Sequence, residues 1–475
     1  MNILSSVTTA FLFAAGLFFL FRLRFLNYAH PIACIRAIFR RPSGIPSDEK
    51  GKGSRQDQTR GKDISPLRGL CMALAGTLGV GNIVGVASAL YLGGPGAVFW
   101  MVFSGLVVSV LKYAEIVLAV RHRRTEPGGT LSGGAHDYIF DSLARRGHPG
   151  AGRFLAALFG VLCLVNALTM GSVLQMNAAA GAMAGNGTGF GIPPLVTGGV
   201  VAVLCAAVMA GGSHRIAAMT ERLVPFMTLV YLGLCVAVLI LRRERLPGMI
   251  CEIFRCAFPG NDPEGRRGLW AGLFGMVTSR ALRSGVMRGL VSNEAGCGTA
   301  PMAHAAANTD SPAAQGILGI VEVFVDTVLL CTVTALCMMV SDSGMTPYGA
   351  DGVNNARATF TSVLGNWAGG VFAVSILLFA AATVFCWAHY GLTAMSGLTG
   401  TLGHPEWNRK AGRVFTVIFC GSLVFGSVAA PALAWDMADV AIGLMTVLNL
   451  TFLLLEHREI AEETRRFLSH PANNG

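Results

Sequence analysis

Charge is what this sequence has least of. Asp, Glu, Lys and Arg make up 13% of its 475 residues, where an average soluble domain carries roughly 25%. With 53% apolar residues and a mean hydropathy of +0.57, that shortage excludes a water-soluble globular protein. Also missing is any GxxxxGK[ST] phosphate-binding loop, and no polar segment is long enough for a nucleotide-hydrolysing domain, so ATP-driven transport by this chain is not expected. No arrangement resembling a catalytic triad is present either, and the chain does not read as an enzyme. Metal-ligand spacing is absent among the 12 cysteines. Cys71, Cys163, Cys205, Cys235, Cys331, Cys337, Cys386 and Cys420 lie inside apolar runs as small packing residues, and Cys251 with Cys256, in the external loop, could pair in an oxidising compartment. The net charge of +10 does not indicate nucleic-acid binding, because Lys and Arg collect in the cytoplasmic loops of membrane proteins.

What the sequence has in quantity is apolar runs of span length. They fall near residues 4–21, 67–91, 96–121, 153–183, 194–211, 222–242, 269–300, 315–341, 367–391, 412–430 and 433–455, which predicts about eleven transmembrane helices. The first run lacks a basic leader and is followed by Arg22 and Arg24 rather than by a small-residue cleavage site, so it reads as a retained helix. Arg22 to Lys62 crowd basic residues into the first loop, placing that loop and the C-terminus in the cytoplasm and the N-terminus outside. The basic loop from 242 to 268 is the exception to this pattern. The resulting organisation is an added helix (1–21), a cytoplasmic basic loop (22–66) ending in the flexible polar stretch 51–63, five spans (67–242), an external loop (243–268), five more spans (269–455) and a cytoplasmic tail (456–475).

Two glycine-rich interruptions stand out. GTLGVGNIVGV (76–86) sits within the first span of one set of five, and RGLVSNEAGCGTAP (288–301) within the first span of the other. Such stretches either pack helices closely or unwind them, and irregular backbone at membrane depth is tolerated only when buried in protein or lining a polar cavity. Breaks at corresponding positions of two halves point to a midplane site between inverted repeats. Acids within apolar spans, Glu294, Glu322 and Asp326, are candidates for function by their cost alone, or for structural pairing with a helix end or a base. Lys112 and Glu115 are spaced to pair along one helix face.

GTLGVGNIVGVASALYLGGPGAVFWM, KYAEIVLAVRHR, GSVLQMN, RIAAMTERLVPFM and RGLVSNEAGCGTAPMAHAAANTDSP with VFVDTVLLCTVTAL resemble the alanine or glycine:cation symporter family, the sodium:alanine symporters. The resemblance runs over nearly the whole chain. It implies a LeuT-type five-plus-five inverted repeat with broken first and sixth core helices, and symport of alanine or glycine with sodium across the cytoplasmic membrane. No cofactor and no nucleic-acid partner is implied; the partners are the amino acid, the cation and membrane lipid. By the same resemblance, Thr77, Gly79, Gly81, Asn82, Gly171, Gln175, Ser292, Asn293 and Trp387 bind substrate, with Gln175 facing the ammonium group unless it only bonds a neighbouring helix. Gly79, Asn82 and Thr383 bind the ion, while Asn177, Glu294 and Asp326 serve gating or structure. Three departures matter: Ala382 replaces the serine of a usual Ser-Thr pair, Leu392 stands where an acid is common, and Ser279-Arg280 replaces Trp-Gln. Since sodium wants oxygen ligands, the missing hydroxyl leaves two alternatives open: proton-coupled symport of a related small amino acid, and a receptor that binds an amino acid without transporting it.

Overall fold

A computed structural model of the protein describes residues 2–26, 64–126, 129–185, 190–258, 280–309, 311–341, 352–430 and 432–469. The stretch 51–63 expected to be a flexible linker, most of the first basic loop and Ser279 lie outside these residues. Among the described residues each apolar run read from the sequence falls on a helix or a helix pair; the first part of the run 269–300 lies outside them. An apolar helix α1 (Asn2–Arg22) precedes a bent pair, α2 (Pro66–Thr77) and α3 (Val84–Gly93), whose axes diverge by 59°. Then come α4 (Gly96–Arg121), the short α5 (Ala135–Arg145), and α6 (Pro149–Leu168) continuing through a π-helical turn, Thr169–Val173, into α7 (Leu174–Ala184). Two spans, α8 (Pro194–Met209) and α9 (Gly212–Leu241), lead to α10 (Leu246–Ala257).

The second half opens with α11 (Arg280–Asn293) and, after a break, the single turn α12 (Pro301–Ala305). It continues with α13 (Pro312–Val323), a π-helical stretch Phe324–Cys331 and α14 (Thr332–Val340), then α15 (Gly352–Leu364) and the long α16 (Trp367–Thr401). Last are α17 (Asn408–Val428), α18 (Ala432–Leu455) and α19 (His457–Ser469).

Burial sorts the helices. α4 is enclosed along most of its length, packing α11 on one face and α13 on another. Small residues allow this approach: a Cβ at Gly285 would lie 2.3 Å from the Ala97 carbonyl oxygen, and one at Gly319 would lie 2.3 Å from Ile116. By contrast α9 and α17 turn large apolar side chains outward, with Leu229 69% and Val417 73% exposed, as lipid-facing helices do.

Two segments read as loop or tail are helical. Within 243–268, α10 packs on α4; Trp100 Nε1 donates to the Ala257 carbonyl at 2.9 Å, and a Cβ at Gly96 would sit 2.3 Å from the Cys256 carbonyl oxygen. Cys251 and Cys256, five residues apart on this helix, are both free thiols. In the tail, α19 folds back across the ends of α4 and α5. Arg121 binds Glu459 at 2.8 Å and Glu463 at 2.9 Å, Arg145 binds Glu459 at 3.1 Å, and Tyr113 hydrogen-bonds Thr464 at 2.8 Å.

Candidate functional site

The first break starts where α2 ends at Thr77. Gly79 is extended, and one tight turn, Val80–Asn82, carries the chain into α3. Gly79 is required for proximity rather than for a special backbone angle. A Cβ there would lie 2.6 Å from Thr383 Oγ1 and 3.2 Å from Gln175 Oε1. Unwinding frees backbone amides that lipid could not satisfy, and side chains meet them: Gly79 N–H donates to Asn82 Oδ1 at 3.0 Å, and Val80 N–H to Gln175 Oε1 at 3.1 Å. Gln175 in turn donates from Nε2 to the Met170 carbonyl at 3.1 Å, inside the π-helical turn, so it holds both irregular segments together.

In the second break three residues take left-handed backbone angles: Glu294 (φ 53°), Gly296 (83°) and Gly298 (80°). Glycine accepts that conformation freely, and Glu294 adopts it at a strain cost of about 1–3 kcal/mol. The freed groups again find partners. Ala295 N–H donates to Asn293 Oδ1 at 3.0 Å, Gly298 N–H to Glu115 Oε2 at 3.0 Å, and Asn449 Nδ2 to the Gly296 carbonyl at 2.9 Å.

Asp326 joins the two breaks. Its carboxylate accepts from Asn82 Nδ2 at 2.6 Å, Ser292 Oγ at 2.9 Å and Thr327 Oγ1 at 2.7 Å, while Asn293 Nδ2 donates to Thr327 Oγ1 at 3.1 Å. The residue is fully buried, and no Lys or Arg is ion-paired to it among the described residues. Asn82, Ser292 and Asn293, expected at the ligand, meet in a buried polar seam around Asp326 and Thr327.

On α16, Thr383 Oγ1 donates to the Ala75 carbonyl at 3.0 Å, placing a hydroxyl and a main-chain oxygen of the last turn of α2 side by side. The neighbouring Ala382 is buried and adds no oxygen. Gly171 makes room, but for Trp387: a Cβ at Gly171 would lie 2.4 Å from Trp387 Cβ, and the indole is fully buried. Asn177 ties α7 to the end of α17 through the Ala429 carbonyl at 2.7 Å. Glu294 accepts from Thr299 rather than pairing with Arg288, whose guanidinium lies 4.7 Å from the Trp435 ring centroid. The expected Lys112–Glu115 pair does not form. Lys112 pairs with Glu322 at 3.3 Å, because the enclosed face of α4 meets α13 there, and His304 approaches the other oxygen of Glu322 at 3.1 Å.

Against the first break lies a cavity of about 460 Å³. Thr77, Gly79, Val80, Gly81, Gln175 and Asn177 line it together with Val291, Trp435 and Gly352 to Asn354. Among the described residues none that lines it is Asp, Glu, Lys, Arg or His. A ligand with net charge would find no counter-charge, whereas a zwitterion can use the partial charges of helix ends and amide dipoles. Trp387, Gly171, Thr383, Asn82, Ser292 and Asn293 do not reach the cavity wall. Trp435, Asn354 and the Ala75 carbonyl were not anticipated: Trp435 resembles a membrane-interface aromatic in the sequence, and a main-chain oxygen carries no residue signature.

Residues 1–474 match the profile of the family described as the sodium:alanine symporter family. The chain belongs to this family. Sodium/alanine symporter AgcS of Methanococcus maripaludis is 35% identical over 414 residues, covering 87% of this chain and 86% of AgcS. GlnT of Bacillus subtilis, described as a probable sodium/glutamine symporter, is 32% identical over 451 residues, covering 95% of this chain and 85% of GlnT. Among solved structures, MhsT in complex with L-phenylalanine superposes with a TM-score of 0.54 at 16% identity, covering 87% of this chain and 94% of MhsT. That likeness shows the LeuT fold. Family and fold together make the protein a multi-pass secondary transporter that works by symport, not an enzyme.

Proposed function

We propose that this family member imports a small neutral amino acid, alanine or glycine, together with sodium. The observation that carries this reading is the cavity without charged lining residues, set against an unwound helix whose Ala75 carbonyl meets the Thr383 hydroxyl. Val80, Val84, Met170, Leu174 and Val291 make much of the wall apolar, which suits a methyl or hydrogen side chain better than a carboxamide. Gln175 and Asn177 supply amide dipoles for the zwitterion, and Asn82 with Asp326 keeps the unwound segment in register. Sodium, as cargo, would take oxygens from Ala75, Thr383 and the unwound segment, with Gly79 admitting their close approach. The protein lies in the cytoplasmic membrane, N-terminus outside and C-terminus inside, consistent with basic residues of the first loop.

Ala382 favours one second reading, proton coupling, because a hydroxyl oxygen expected for sodium is absent beside Thr383. Uptake of labelled alanine and glycine into proteoliposomes under an inward sodium gradient, an inward proton gradient or neither separates the two. Sodium-driven, saturable accumulation is expected, with Gln175→Ala losing at least tenfold and Thr383→Ala raising the sodium concentration for half-maximal uptake by a similar factor. Accumulation driven by protons alone would replace sodium in this reading, and no accumulation of either amino acid would reject alanine/glycine import.

A further inference from the structure

A second cavity, of about 390 Å³, opens between α1, the end of α3, α11 and α18. Its chemistry differs from that of the first. Arg280, Arg283 and Arg288 all line it, and Asp439 is the one carboxylate on its wall among the described residues. The spacing explains the convergence: positions i, i+3 and i+8 share one face of a helix, so α11 presents three guanidinium groups along about 12 Å of its length. Like charges so placed repel, and neither Arg280 nor Arg283 has an ion-pair partner among the described residues. Nη1 of Arg288 is buried without a hydrogen-bond partner. Beside the arginines the wall is largely apolar, with Leu4 from α1, Leu92 from α3, Val440 from α18 and Met287 from α11, next to Thr8, Ser284 and Gly443. Leu92 and Val440 remain 50% and 44% exposed.

Clustered guanidinium groups next to an open apolar wall match an amphiphile with an anionic head and a hydrocarbon tail. We infer that this groove binds the phosphodiester headgroup of an anionic phospholipid, with one acyl chain lying along Leu4, Leu92 and Val440. Arginine forks bind phosphate oxygens bidentately. The excess of two positive charges on the wall, three Arg against one Asp, selects an anionic over a zwitterionic headgroup. A soluble anion would satisfy the guanidinium groups but leave the apolar wall uncovered. Arg288 also stacks on Trp435, which walls the first cavity, so a headgroup held by Arg288 sits one side chain away from the carried solute.

The test needs no knowledge of the carried solute, and its failure would leave the transport reading intact. Purified full-length protein is exchanged into detergent with equimolar phosphatidylglycerol and phosphatidylcholine, and retained lipid is read by native mass spectrometry. Arg280→Ala/Arg283→Ala is compared with the parent, and Arg280→Lys/Arg283→Lys serves as the charge-preserving form; melting temperatures report folding. Preferential retention of phosphatidylglycerol is expected in the parent, at least tenfold weaker in the alanine form and mostly restored in the lysine form. Equal retention of both lipids by the parent would overturn the inference, as would unchanged retention in a folded alanine variant. Displacement of the bound lipid by millimolar inorganic phosphate alone would also overturn it, replacing the lipid with a soluble anion.

Discussion

Asp326 accepts hydrogen bonds from Asn82, Ser292 and Thr327, one from each of the two broken helices and one from its own π-helical stretch. An acid within an apolar run draws attention in the sequence through its cost, but the sequence does not say which groups offset that cost. Here three donors do so, and truncation would remove their shared acceptor, leaving Asn82 the Asp326 main-chain oxygen and Cys331, Ser292 only Cys331, and Thr327 its bond from Asn293, at a cost of up to about 1–3 kcal/mol per group. Asp326→Ala is therefore expected to lower the melting temperature and abolish uptake. Asp326→Asn keeps the shape but turns an amide N–H toward donors, and is expected to retain the fold while losing more than tenfold of the uptake rate per inserted protein. Near-parental uptake by Asp326→Asn would show that the seam is packing alone. Gly79 and Gly171 show the limit of reading glycines: both admit close neighbours, yet one faces Gln175 and Thr383 beside the cavity and the other only the buried Trp387.

At the scale of elements, the apolar runs were legible wherever the residues are described, because span length and hydropathy are local properties of the chain. α10 and α19 were not. Each is a short helix whose polar and apolar residues are mixed along the chain, and each is held by groups remote in sequence. The docking of α19 makes a pH-dependent prediction. Burial alone would lower the His122 pKa, but hydrogen bonds with Asp141 and Glu459 outweigh it and raise the value to about 9 from 6.5. Glu459 is held down at about 2, from 4.5, chiefly by its hydrogen bond with His122, then by Arg121 and Arg145, against burial. Since the folded value of His122 lies above its ordinary one, its contribution is complete below pH 6.5 and is lost as pH rises through about 9. The contribution of Glu459 is complete above pH 4.5 and is lost as pH falls through about 2. Hydrogen exchange of residues 457–469 should thus accelerate between pH 6.5 and 9 beyond the intrinsic pH effect, and His122→Gln should remove that excess.

For the molecule as a whole, the proposed binding of amino acid and sodium around one unwound helix would make a linked system, in which each raises the apparent affinity of the other by the same factor. Net movement of one positive charge per cycle adds roughly 2.3 kcal/mol per 100 mV, or about fiftyfold in accumulation at equilibrium. Imposing an inside-negative diffusion potential with potassium and valinomycin is expected to raise alanine accumulation in the presence of sodium. Insensitivity to potential would mean that the coupled movement is electroneutral.

Composition, span lengths, the two glycine-rich breaks and the family motifs are all written along the chain, and by themselves they determined a multi-pass helical transporter with paired discontinuous helices. Local patterning suffices for that, because lipid forces every spanning segment to satisfy its own backbone and so to advertise its exceptions. Tertiary structure alone decided the partners: Lys112 with Glu322 rather than Glu115, Asp326 between Asn82 and Ser292, Thr383 on the Ala75 carbonyl, and three arginines around one groove. Residues far apart in the chain meet only when helices pack at particular faces and depths. In a low-dielectric interior that packing chooses which donor meets which acceptor, and the cost of leaving one unmet makes the choice strict.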